Sequence, residues 1–71
     1  MDADLRRKIG ALWLFHGASI ERSLVLTEHR MGVAERDPDF DAEQQQAAGV
    51  ERERVKAALE AFRELGAELQ R

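Results

Sequence analysis

One break interrupts an otherwise helix-compatible chain, and that break, MGVAERDPDFD over residues 31–41, limits the fold to two long elements. Gly32 suits the position just past a helix, where the backbone often turns left-handed. Asp37-Pro38 disfavours helix at residue 37 while permitting a fresh start at 38. Asp37 or Asp39 can cap the second helix, and Asp41 with Gln44 offers a capping-box spacing as a further choice. The expected fold is all-α: one domain over residues 1–71, an antiparallel two-helix hairpin with helix 1 over about 4–31, a loop over about 32–37 and helix 2 over about 38–70.

Helix 2 carries one apolar stripe at intervals of three or four: Phe40, Gln44, Ala47, Glu51, Val55, Ala58, Phe62, Leu65 and Leu69, with Ala48 and Leu59 on its flank. Arg52, Lys56, Glu60, Arg63 and Glu64 make the opposite, solvent side. Helix 1 carries two stripes. Leu5, Ile9, Leu12 or Trp13, His16, Ile20, Leu24, Thr27 and Met31 form the natural partner of helix 2. The stretch GALWLFHGAS then leaves apolar residues over. Ala11, Leu14 or Phe15, Ala18 and Val25 form a second face, with Arg22 and His29 interrupting it. A surface helix of a monomer does not need that face, so it is expected to meet a partner. Ala3, Gly10 and Gly17 lie seven apart and predict close helix packing along one line.

A chain reversing near residue 36 sets positions whose numbers sum to about 71 opposite each other. His16 and Ser23 then flank Glu51, and Thr27 meets Gln44. Buried polar groups cost several kcal/mol unless they are hydrogen-bonded. These five residues are therefore expected to form a polar core layer that sets register and partner choice, as polar core positions do in coiled coils.

The chain has 71 residues and no cysteine. Below about 70–80 residues one core rarely supplies more than ~3–5 kcal/mol, and disulfides, a metal or a partner subunit usually make up the rest. Without disulfides, association is the expected route, giving a homodimeric four-helix bundle.

Other function classes find little support. The formal charge of −3 opposes a binder held by phosphate contacts, which needs a local excess of Lys and Arg. Basic residues cluster as Arg6, Arg7 and Lys8, which could serve nucleic acid, and again as Arg52, Arg54 and Lys56, where interleaved Glu51 and Glu53 make a mixed-charge solvent face. Asp2 and Asp4 precede the first cluster, and the apolar run after it stops at His16, which opposes a secretory signal. No stretch approaches the ~20 apolar residues of a transmembrane helix, so a cytoplasmic location is expected.

Asp37, Asp39 and Asp41 match the first ligand positions of a calcium loop, but Ala42 and Ala48 stand where its glycine and bidentate glutamate belong. Neither histidine has a second ligand at helical spacing. No nucleophile motif or phosphate loop occurs. The expectation is a non-enzymatic protein without metal, cofactor or small-molecule substrate. Its role would be that of an adaptor, co-chaperone or regulatory subunit acting on itself or another protein. A nucleic-acid-binding regulator using the Arg6-Arg7-Lys8 end is the alternative.

Overall fold

A computed structural model describes residues 2–70 as two helices packed against each other, α1 (Ala3–Glu35) and α2 (Ala42–Leu69). No strand occurs among the described residues. With ~1.5 Å rise per residue, the 33 residues of α1 reach about 50 Å. The hairpin's long dimension is 49 Å, so α1 spans the whole molecule.

Both helices start at aspartate caps. The Asp2 carboxylate accepts the Leu5 N–H at 2.8 Å. Asp41 accepts the Gln44 N–H at 2.8 Å while the Gln44 side chain accepts the Asp41 N–H at 2.9 Å, a full capping box. That reciprocal pair satisfies two donors otherwise left orphaned at a helix start, and it places the start at Ala42 rather than residue 38. Pro38 consequently lies in the loop. There the Asp37 carboxylate accepts the Asp39 N–H at 2.9 Å, and the Asp37 carbonyl accepts the Gln45 side-chain amide at 2.7 Å.

The end of α1 also departs from expectation. The helix continues through Gly32 to Glu35, and no described glycine has a positive φ. Gly32 is buried in the helix, and a Cβ there would stand 3.4 Å from Cδ of Arg52. Its smallness serves the close approach of an arginine stem rather than a turn.

The interface keeps part of the expected stripes, with Ile9, Trp13, Leu24, Thr27 and Met31 on α1 and Val55, Phe62 and Leu69 on α2 facing inward, and shifts by one residue at the other α2 positions. On α2, Ala48, Arg52, Val55, Leu59, Phe62, Gly66 and Leu69 face inward, alternating steps of four and three as in a coiled coil. Ala48, Val55 and Leu59 form the buried apolar core, at 8%, 9% and 5% exposure. Ala47, Glu51, Ala58 and Leu65 are exposed. On α1 the inward residues are Ile9, Trp13, Gly17, Leu24, Thr27, Met31 and Gly32, whereas Leu5, Leu12, His16 and Ile20 are exposed.

Opposed positions also sum to more than 71. Trp13 stacks on Phe62, Gly32 meets Arg52, and Glu35 meets Gly49. The connection is centred near residues 38–39, because α1 runs longer and α2 starts later than expected.

The indole of Trp13 fixes this register. Its ring lies on Phe62 with centroids 3.8 Å apart and planes 18° from parallel. It also presses on two glycines: a Cβ on Gly66 would stand 2.6 Å from Trp13 Cζ2, and one on Gly17 would stand 3.0 Å from Cδ1. Gly10, by contrast, has open space where a Cβ would go. Of the expected small-residue line, Ala3 is exposed and only Gly17 is held in a tight contact. What approaches Gly17 is a ring of its own helix, not a second backbone.

These glycines predict opposite outcomes for one chemical change. Gly10→Ala gains helix propensity without a clash and should stabilise the fold by about 0.5–1 kcal/mol. Gly66→Ala gains the same propensity but displaces a stacked indole, and should lose about 1 kcal/mol or more in net. Urea unfolding followed by helical circular dichroism reads both.

Candidate protein interface

The Trp13–Phe62 stack has two differently built sides. On one, the stack floors an open apolar groove of about 260 Å³ walled by Ile9, Leu12, His16 and Ile20. Leu12 is 63% exposed and Ile20 45%. On α2, Ala58 and Leu65 lie four and three residues from Phe62 and continue the same side, with Leu69 two turns on.

The other side of the stack is polar. Glu21 and Arg63 bridge the helices there, with Arg63 Nε donating to Glu21 at 2.7 Å, beside a groove of about 350 Å³ that Ala18 and Ala67 also line. Nearer the loop, Arg52 Nε lies 2.9 Å from a Glu35 carboxylate oxygen, with both side chains about one-third exposed. That N–H is buried and makes no hydrogen bond, so the contact is a charge pair rather than an aligned bond. At the far end the Arg6 guanidinium donates to the Glu68 carbonyl. Arg52 therefore belongs to the helix interface and not to a solvent side, while Arg63, exposed as expected, bridges the helices at the rim. Each crosses to a glutamate of α1, a pairing that a one-residue error in the stripe conceals.

The residues expected to form a partner surface all lie outside the hairpin's core. Ala11, Leu14, Phe15, Ala18, Arg22, Val25 and His29 are exposed, with Leu14 at 84% and Phe15 at 82%. They do not all share one setting. Ala18 edges the Glu21–Arg63 groove, and Val25 and His29 edge a depression of about 280 Å³ beside Arg36 and Arg52.

The expected polar core layer does not form within the hairpin. His16, Ser23, Gln44 and Glu51 are exposed and Thr27 is half-buried. The Thr27 hydroxyl donates to the Ser23 carbonyl of its own helix at 2.8 Å. Gln44 is used in the capping box, and Glu51 approaches Arg54 of its own helix at 3.6 Å. The correction has a common cause: His16, Ser23, Gln44 and Glu51 lie beside the inward positions and turn to solvent, while Thr27, which stays at the interface, satisfies its hydroxyl within its own helix.

The basic end is largely occupied. Asp4 lies 2.5 Å from Arg7 and 2.9 Å from Lys8, and Arg6 is drawn to α2. Among the described residues no three His, Cys, Asp or Glu gather closely enough to hold a metal ion. No helix there is long and apolar enough to cross a membrane. A further depression, about 620 Å³, is an open surface near the loop lined by Glu35, Glu53 and Arg54 together with Val50 and Ala57. Compared with known protein families, curated proteins and solved structures, the chain shows no match.

Two carboxylates, Asp41 and Glu51, thus differ in consequence. Asp41→Ala removes a cap and should cost about 1 kcal/mol. Glu51→Gln alters an exposed weak pair and should stay within about 0.5 kcal/mol of the parent. Thermal melts of the two variants at one protein concentration separate these outcomes.

Proposed function

We propose that the chain is a protein–protein interaction module that completes its core by association, first with itself as a homodimeric four-helix bundle. In that form it acts as an adaptor, co-chaperone or regulatory subunit. The observation that carries this reading is an excess of surface over core. The hairpin exposes 5577 Å², against about 4,500 Å² for a compact monomer of its 8.1 kDa mass. The difference, of order 1,000 Å², is close to the ~800 Å² that each partner buries in a standard stable interface.

Shape agrees with area. The radius of gyration is 15.7 Å, whereas a compact domain of this length has about 11 Å. Among the described residues no side chain is fully buried, and three apolar residues make the buried core. Burial in a second layer would give both helices the partner that such a small core lacks. The outward Leu14 and Phe15 then remain for a different protein. Each is worth about 1.5–3 kcal/mol if fully covered.

Light scattering across a concentration series tests the reading. The expected mass is twice that of the chain, with a melting temperature that rises with protein concentration, as linkage requires of a dimer. A fully helical monomer at concentrations on the order of 100 µM would overturn it.

A further inference from the structure

We propose that the second copy seats on the groove floored by Trp13 and Phe62, with α1 of one copy lying over α2 of the other and both loops at the same end. The inference rests on the self-association proposed above and specifies its face and direction. Three observations select this arrangement.

The first is the inequality of the hairpin's two sides. Glu21–Arg63 and Glu35–Arg52 close one side with charge pairs, while the other side presents Leu12, Ile20 and Phe62 around an open apolar groove. A second apolar layer gains by covering the groove and would have to desolvate ion pairs on the other side.

The second is the division of the groove side along its length. Its half near the termini is apolar. Its half near the loop carries Ser23, Thr27 and Arg30 on α1, which continue the side of Ile20, and Gln44 and Glu51 on α2. A twofold axis parallel to the helices keeps every residue at its own height, so apolar half meets apolar half and polar half meets polar half over the 49 Å length. A twofold axis across the helices lays the apolar half on the polar half, or else slides the copies apart and leaves half of each uncovered.

The third is charge. α1 carries five basic and four acidic side chains, α2 four basic and six acidic. With α1 over α2 of the partner, the more basic helix lies on the more acidic one. Arg30 makes no ion pair among the described residues, and Glu51 has only Arg54 at 3.6 Å. Because Gly32 lies opposite Arg52, Arg30 and Glu51 sit within about one helical turn of the same height. The parallel twofold axis therefore brings Arg30 of each copy toward Glu51 of the other, twice per dimer.

The absence of cysteine makes a single label site simple to introduce. With a spin label on Pro38→Cys, double electron–electron resonance should give a loop-to-loop distance under about 30 Å, since packed helices lie ~8–10 Å apart. Leu12→Asp should shift the dimer to monomer, whereas Leu14→Asp combined with Phe15→Glu should leave its mass unchanged. Arg30→Glu should weaken the dimer about three- to tenfold, with recovery when Glu51→Arg is added. That charge exchange decides the face even if Leu12→Asp fails to fold. Loops separated by the hairpin length of 49 Å or more overturn the inference. So does a dimer that survives Leu12→Asp or ignores the charge exchange. In each case the self-association reading stands. A wild-type chain that stays monomeric overturns both.

Discussion

The structure depends on one contact, the flat packing of Trp13 onto Phe62 across a floor made by Gly66 and Gly17. An indole is too large for an ordinary seam between two helices, so α2 yields a side chain at residue 66 and α1 yields one at residue 17. The ring then bridges the helices where little else does. Every buried apolar side chain, Ala48, Val55 and Leu59, lies on α2 between the loop and Phe62. Beyond Phe62, toward the termini, the one buried position among the described residues is Gly66.

This arrangement explains why the hairpin plan is readable from sequence and the phase of its interface is not. Asp37-Pro38, the Asp41/Gln44 spacing and two long periodic runs announce two helices and a turn, because these signals are local and belong to the backbone. The inward positions are not announced in the same way. A count at intervals of three or four takes Leu65 over Gly66, Ala58 over Leu59 and Glu51 over Arg52, leaves Leu12 and Trp13 unresolved, and so misses part of the inward set on α2. The true repeat includes a glycine and an arginine, chosen for the indole and the Glu35 carboxylate that meet them. Such complementarity lies in pairs of residues distant in sequence, and a periodicity count on either helix alone does not contain it.

The displaced stripes still carry information. Leu5, Leu12, His16 and Ile20 on α1, and Ala58 and Leu65 on α2, are turned by the same error toward the same flank of the hairpin. Leu12, His16 and Ile20 wall the apolar groove, and the others are exposed on the same side by their helical spacing. Helix 1 thus has three kinds of apolar position: those against α2, those beside the groove, and the outward Leu14 and Phe15. The stretch GALWLFHGAS is dense because it serves all three within three turns.

Unequal halves imply unequal stability. Near the loop, a capping box, the Arg52–Glu35 charge pair and the buried Ala48, Val55 and Leu59 act together over a short chain separation. Near the termini, the helices are joined by the aromatic stack, the Glu21–Arg63 bridge and Arg6. Exposed ion pairs contribute little, about 0–1 kcal/mol. Local opening in such a fold begins where buried apolar contact is sparse, so the terminal half separates at lower cost than the loop half. The apolar groove lies on that weaker half. A partner that covers it would bury the exposed edge of Phe62 together with Leu12 and Ile20, and would stabilise the segment that the hairpin holds least firmly. Binding and completion of the fold then draw on the same residues, which is the coupling expected when a chain too small to finish its core borrows surface from another.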